Sequence, residues 1–351
     1  MNVKAAQDDE VLFARKGHAG IITINRPKAL NAVTLGIVRA MQAQLEAWAE
    51  DDRVRWVIIK AAPGRAFSAG GDVRQLYEWG AARDPMAYTF YAEEYALNTF
   101  IKRFPKPYIA FVDGIVMGGG VGVSVHGSHR VMGSDLMFAM PETGIGLIPD
   151  VGGTYFLPRL PGETGIYLGL TGMRVGQGDA LALGIATHAV PSRRFAVLEN
   201  ALHTTGALDT LIANFSAPPP TGKIADLRAA IDRCFSAGSL EEIIARLQND
   251  DMQPFGSDTA KLLRTKSPTS LKITLRQLRE GAKLEFEDCM KLEFRIVSRI
   301  LEAKDFFEGV RAVIIDKDNA PKWQPDSIEG VSDAEIDRYF EPLGNRELML
   351  S

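Results

Sequence analysis

The chain has 351 residues, 46% apolar and 24% charged, with a formal net charge of −4 at pH 7. That length buries a large core and suits one big domain with an appendage, and the balance is too even for a disordered chain. The acidic balance, with no basic run or basic helix, excludes general nucleic-acid binding, and no stretch reaches the roughly 18 consecutive apolar residues that would span a bilayer.

Cys234 and Cys289 are the only cysteines, far apart and without metal-ligand spacing, which suits a reducing compartment. The N-terminal stretch 1–10 is polar and acidic, with neither the apolar core of a secretory signal nor the Arg/Ser bias of a transit peptide. The chain therefore reads as cytoplasmic.

Val11–Arg15 and Gly20–Asn25 read as strands around a Lys16-Gly-His-Ala turn. Thr34 is placed to cap a helix with Val38, Met41, Leu45 and Trp48 at helical spacing. Trp56–Ala61 reads as a strand buried on both faces. A glycine-bearing loop follows, Pro63–Asp72, in which Ala69, Gly70 and Gly71 precede a helix that Asp72 can cap. A helical segment covers about 85–103 and contains Glu93, Glu94 and Tyr95, and Phe104-Pro-Lys-Pro107 ends it.

Tyr108–Val112 reads as a buried strand, followed by Asp113-Gly-Ile-Val-Met-Gly-Gly-Gly120. Gly118 to Gly120 open a small-residue helix through Ser124. Glycine lets a backbone approach a ligand, and a helix start leaves N–H groups unpaired. Two such loops, each after a strand, could supply two N–H donors to one oxygen, as an oxyanion hole requires; tight packing of a helix on a sheet is the competing reading. Neither a P-loop nor a Gly-x-Gly-x-x-Gly dinucleotide site fits the spacing.

Val131–Gly133 and Leu136–Ala139 are short strand candidates. The acids Glu142 and Asp150 then sit in an apolar, glycine-rich loop, Met140–Gly153. Lost hydration raises a carboxyl's pKa toward a range useful for acid–base work. Asp150 can equally cap a helix starting near Val151, and Glu142 can equally bond neighbouring backbone. Short helices are expected at Gly162–Thr171 and Gln177–Gly184, with an extended exit at Ala189–Pro191. The pattern is helical from Leu198, broken at Asn214–Gly222 by a proline-rich stretch. Leu240–Leu247 is amphipathic, and the longest helix is expected over about Leu284–Ala303, with Phe286, Met290, Phe294, Val297 and Leu301 on one core stripe.

Taken together, Ala66-Phe-Ser-Ala-Gly-Gly-Asp72, Met117–Gly127 and Phe138–Gly153 resemble the active-site segments of the crotonase (enoyl-CoA hydratase/isomerase) superfamily, with the closer match to its acyl-CoA hydrolase branch. Ser267–Leu278, Glu308–Asp318 and Pro321-Lys-Trp323 extend the likeness, which runs from about Val11 to Phe340. The resemblance implies an α/β fold, a β/α superhelix of repeated ββα units (1–195) followed by a helical C-terminal region (196–351) that covers or completes the site. It implies that the thioester carbonyl rests on the N–H groups of Gly71 and Gly119, with Ala69 and Gly118 beside them. Glu142 matches the catalytic glutamate, Asp150 its partner acid, and Glu94 an acidic substrate-binding position. Arg26, Lys28 and Arg65 lie in loops where relatives meet the nucleotide end.

Hydratases place a second glutamate where this chain has Gly122, so the resemblance points to hydrolysis of an acyl-CoA thioester, in valine catabolism, rather than to hydration or isomerisation. A silent acyl-CoA-binding protein is the alternative from another class. CoA is then part of the substrate, no separate cofactor or metal is expected, and the partner is a small acyl-CoA, with neither nucleic acid nor membrane. Assembly as a trimer or hexamer is open, since the C-terminal extension could replace a subunit contact. His126 is read as structural.

Overall fold

The structure has nine strands among the described residues: β1 Val11–Lys16, β2 Ala19–Ile24, β3 Trp56–Ala61, β4 Ala66–Ser68, β5 Tyr108–Val112, β6 Ile115–Met117, β7 His129–Met132, β8 Met137–Ala139 and β9 His188–Ala189. Six of them, β1, β2, β3, β5, β7 and β8, are the strands expected from apolar runs, with small shifts at their ends; β4 and β6 are short strands inside the stretches read as glycine loops, and β9 overlaps the expected extended exit. A computed structural model of the protein describes residues 9–204 and 206–350. Most of the N-terminal stretch 1–10, read above for targeting signals, lies outside the described residues.

The chain folds into two units. The first takes Met1–Gly71, Phe100–Met137 and Gly176–Pro220, and the second takes Asp72–Thr99, Phe138–Val175 and Thr221–Ser351. A boundary at 195/196 lies inside the first of these. The proline-rich break does coincide with a boundary, at Pro220 and Thr221.

In the first unit a six-stranded sheet has the order β1-β2-β3-β5-β7-β9. β1 and β2 form an antiparallel hairpin, and the remaining pairs are parallel. Parallel neighbours need covered faces, and β5 is buried at all five positions. One face packs Ile21, Trp56, Ile58, Ile109, Phe111 and Val131 against Leu198, Leu202 and Ile212 from later helices. Helix Leu35–Glu50 buries Ile37, Val38, Met41, Leu45 and Trp48, and the Thr34 side chain accepts from Ile37 N–H at 3.2 Å, as the cap reading requires. Short β4 and β6 pair with each other in a second, parallel sheet. Each strand pair β3–β4 and β5–β6 thus gives one strand to each sheet, the repeated unit of the expected superhelix. The fold is α/β.

The second unit is mostly helical. The Asp72 side chain caps Val73–Ala81, accepting from Gln75 N–H at 3.3 Å. Helix Met86–Lys102 has 17 residues, whereas Phe286–Ile300 has 15, so the longest helix is the earlier one. The expected stripe of Phe286, Met290, Phe294, Val297 and Leu301 is buried. Glu293 lies on the same helix with no exposure at all, which an apolar stripe does not announce. Cys234 and Cys289 are buried and free. Among the described residues no helix is long and apolar enough to cross a membrane.

Candidate active site

The parallel pairing of β4 with β6 aligns Ser68 with Val116, and the glycine loops leave the same ends of these two strands. Gly71 and Gly119 each stand three residues beyond that register pair. The loops touch: a Cβ on Gly70 would stand 3.6 Å from the Met117 carbonyl oxygen and 3.8 Å from Gly118 Cα. Gly70 has φ +116° and Gly118 has φ +44°, conformations that L side chains rarely adopt.

Val33 forms a parallel bridge with Gly71 in which its N–H donates to the Gly70 carbonyl at 2.9 Å, so that bond does not use the Gly71 N–H. Helix Gly119–Val125 begins after Gly118, whose carbonyl accepts from Val121 and Gly122. The Gly119 N–H lies ahead of that ladder, where a helix offers no internal acceptor. The tight-packing reading also holds, at Gly120: a Cβ there would lie 2.6 Å from Ser68. The glycine run thus serves two purposes, one per residue. Ala69 differs from expectation, because its N–H donates to the Leu30 carbonyl at 3.0 Å. A binding role for Ala69 would fall to its carbonyl.

The acids gather in the second unit. Glu94, Glu142 and Asp150 are buried, with exposures of 2%, 5% and 4%. Glu142 heads the short 3-10 turn Glu142–Ile145 after β8. Glu142 Oε2 and Glu94 Oε1 have no hydrogen-bond partner among the described residues. The Asp150 side chain is not a helix cap: it accepts from the Tyr95 hydroxyl at 2.8 Å, while its backbone carbonyl takes the Gly153 N–H. The following helix runs Gly153–Phe156 with Gly152 as its N-cap.

Burial dominates the electrostatics. It pushes Asp150 up to about 6, although the Tyr95 hydroxyl pulls the other way. Burial, with the Asp150 charge added, raises Glu142 well above the ordinary carboxylate range. Glu94 rises for the same reasons, with Glu293 also contributing.

Sequence reasoning missed the groups that hold this loop. Glu293 accepts from Gly152 N–H and Thr154 N–H, both at 2.9 Å. Gln277 donates to the Pro149 carbonyl at 2.8 Å and to Thr154 Oγ1 at 2.6 Å. Between those anchors Val151 sits at φ +48°, a strained conformation for a β-branched residue that its surroundings must impose. The Ser267 N–H donates to the Thr143 carbonyl at 3.1 Å, next to Glu142, and Ser267 Oγ donates to Asp305 at 2.6 Å. A Cβ on Gly309 would come within 2.6 Å of Ile145 Cα. The Trp323 indole N–H reaches the Thr265 carbonyl at 3.1 Å. The C-terminal stretches that carried the resemblance therefore brace the Glu142–Thr154 segment.

Residues 19–340 match the enoyl-CoA hydratase/isomerase family. The chain belongs to that family. Among curated relatives, 3-hydroxyisobutyryl-CoA hydrolase, mitochondrial, of Xenopus tropicalis is 46% identical over 100% of this chain and 93% of its own length. The protein of that name from Homo sapiens is 43% identical over 97% of this chain and 90% of its own. Two solved structures share the enoyl-CoA hydratase/isomerase fold closely. A carnitinyl-CoA dehydratase from Mycobacterium thermoresistibile superposes with TM-score 0.93 at 41% identity, covering 97% of this chain and 99% of that one. An enoyl-CoA hydratase from Rhodobacter sphaeroides gives TM-score 0.91 at 40% identity, covering 97% and 100%.

Two other expectations meet the structure here. Arg26 forms an ion pair with Glu10 at 2.9 Å and donates to the Ala32 carbonyl, so its guanidinium shapes its own loop. His126 is 7% exposed at the C-terminal end of the glycine helix, in keeping with a structural role. Among the described residues no group of three or more His, Cys, Asp or Glu side chains is arranged to hold a metal ion.

The buried acids also set a pH dependence of stability. Glu293 is pushed up to about 8, by burial first and the Asp150 charge second, against the pull of Gly152 and Thr154. Its folded pKa lies above the unfolded one, so the folded state holds a proton that the unfolded chain has released. The stabilisation is present at low pH and is lost as pH rises through about 8. His188 and His203 are lowered, by burial first, and act in the opposite sense, adding stability as pH rises through the unfolded imidazole range. Between pH 7 and 8.5 stability is expected to fall by on the order of 1 kcal/mol. Denaturant melts at both pH values would measure it, and Glu293→Gln should reduce the fall, the rest belonging to Glu94 and Glu142, which burial raises in the same sense; an undiminished slope in that variant would assign it elsewhere.

Proposed function

We propose that the protein hydrolyses a short hydroxyacyl-CoA thioester, 3-hydroxyisobutyryl-CoA, to 3-hydroxyisobutyrate and CoA, a step of valine breakdown. The observation that carries this reading is the burial of both Glu142 and Asp150, close enough for the Asp150 charge to act on Glu142, in a chain whose position 122 is glycine. Hydration across a double bond needs one group for the water and another for the proton at carbon. Without a side chain at Gly122 the second hydratase glutamate is missing. The full-length likeness to hydrolases supports the same conclusion.

In this reading the thioester carbonyl accepts from the N–H groups of Gly71 and Gly119, with Gly118 shaping the second donor. Those bonds strengthen as the oxygen gains charge in the tetrahedral intermediate. Glu142 activates water, or attacks the carbonyl to form a mixed anhydride that water then opens. Asp150, held by Tyr95, orients Glu142 or the substrate hydroxyl, and Glu94 meets the polar end of the acyl group. CoA enters and leaves as part of the substrate, and no separate cofactor or metal takes part. We read the protein as acting in the cytoplasm, consistent with two free thiols, although the curated relatives are named mitochondrial. Self-assembly as a trimer or hexamer belongs to the proposal only by analogy within the family.

The names of the two solved structures favour a second reading, hydration or dehydration of an acyl-CoA. Purified protein with 3-hydroxyisobutyryl-CoA should release free thiol rapidly, and crotonyl-CoA should keep its enoyl absorbance. Hydration of crotonyl-CoA without thiol release would establish the second reading and refute the argument from Gly122. Binding of both esters with neither reaction would point to an acyl-CoA-binding protein.

A further inference from the structure

Helix Met86–Lys102 carries Tyr91, Glu94, Tyr95 and Asn98 at spacings that share one face. All four are almost wholly buried. Tyr95 has committed its hydroxyl to Asp150. Tyr91, one turn earlier, has not: its hydroxyl oxygen has no hydrogen-bond partner among the described residues, and neither has Glu94 Oε1. Buried hydroxyls nearly always have a partner, so an unpartnered one with an unpartnered carboxyl oxygen three residues on along the same helix face marks a place where a ligand completes the bonding.

The Tyr91 ring is fixed rather than loose. It packs against Phe90 with centroids 5.7 Å apart and against Tyr95 at 5.8 Å. Burial, then the charges of Asp150, Glu94 and Glu142, keep its hydroxyl protonated far beyond neutral pH. Tyr91 therefore lies within electrostatic reach of all three acids and remains an O–H donor throughout the working range. One fixed donor and one acceptor on the same helix face complement an alcohol, which accepts one hydrogen bond and donates another.

We propose that Tyr91 determines specificity for the acyl chain: its hydroxyl donates to the 3-hydroxyl oxygen of the substrate, whose own proton goes to Glu94 Oε1. The inference rests on the hydrolase reading above and names the substrate feature that the acid cluster recognises. A plain acyl chain placed there would leave both protein groups unpaired, which is how a polar site rejects an analogue lacking a hydroxyl.

The test compares 3-hydroxyisobutyryl-CoA with isobutyryl-CoA, which lacks only that hydroxyl, in the unmodified protein and in Tyr91→Phe. The variant should lose about 10- to 100-fold in kcat/KM for the hydroxylated ester and change by less than about twofold for the plain one. Its melting temperature should be unchanged or higher, because the substitution removes an unpartnered buried hydroxyl. Equal losses on both esters, or no loss on either, would overturn the assignment. If the unmodified protein releases thiol from neither ester, the hydrolase reading fails by itself. Calorimetric affinities for the same two esters then decide on Tyr91: a preference for the hydroxylated ester that Tyr91→Phe erases upholds the assignment, and an unchanged or absent preference overturns it.

Discussion

Glu142→Gln is expected to lower kcat by about 10²–10⁴-fold or more, the range that a positioned acid–base group contributes, while CoA-ester affinity stays within about threefold. The substitution keeps size and shape and removes only the charge and proton capacity. It should not unfold the protein, because Glu142 Oε2 has no partner among the described residues to lose. The same argument fixes the pH profile of the unmodified enzyme. Base or nucleophile, Glu142 must be ionised, and burial together with the Asp150 charge raises its pKa. Asp150 titrates at about 6. The acid limb of kcat/KM should therefore fall at or above about pH 6, and not near the ordinary glutamate value of 4.5, as a property of the coupled pair. Stopped assays of thiol release and calorimetry on the variant test both statements. Near-normal turnover in Glu142→Gln would remove Glu142 from the chemistry, and label found in the Glu142 carboxylate after a single turnover in heavy-oxygen water would exclude simple base catalysis.

The second large effect is expected far from Glu142 in sequence. Gly309→Ala places a methyl group within 2.6 Å of Ile145 Cα, in the turn that Glu142 heads. The obstruction is backbone, so it cannot rotate away. Overpacking of this kind costs about 1–3 kcal/mol. A shift of about 1 Å in a catalytic group can cost about 10²-fold in rate. We expect Gly309→Ala to lower kcat by about 10²-fold and stability by about 1–3 kcal/mol, with a smaller change in KM. Gly238→Ala is the control: a Cβ there meets nothing within 4 Å, and its φ needs no glycine. If both variants behave alike, the close approach of helix Asp305–Val310 to the Glu142 turn has no part in positioning the site. Gly146, at φ +71° with Phe306 N 2.6 Å from its would-be Cβ, makes the reciprocal contact and predicts the same phenotype.

How far the chain could be read beforehand depended on the range of the interaction. β5 is a continuous apolar run that must be buried on both faces, and Thr34 and Asp72 cap helices through bonds to residues three positions on. Those signals are local, so they survive without a structure. The glycine loops and the two acids of an apolar loop were visible for the same reason, although packing or capping explained them equally well until the structure separated the roles. Yet Asp150 looked equally like a cap, and only its bond to the Tyr95 hydroxyl separates the readings. Ala69 stands beside the donors in sequence, but its own N–H is spent on the Leu30 carbonyl.

By itself, then, the sequence determined the long strands and most helices, the two glycine loops and the candidate acids, because each is written in neighbouring residues, whereas the short β4–β6 pair that aligns the loops was read as loop. The tertiary structure alone decided what holds those acids and what faces them. Glu293 and Gln277 sit among apolar neighbours on C-terminal helices, and their partners, Gly152, Thr154 and Pro149, are more than a hundred positions away. Tyr91 hides in an aromatic face that reads as core. Bonds made across such separations depend on how helices pack, and packing leaves no periodic trace in the residues that make them.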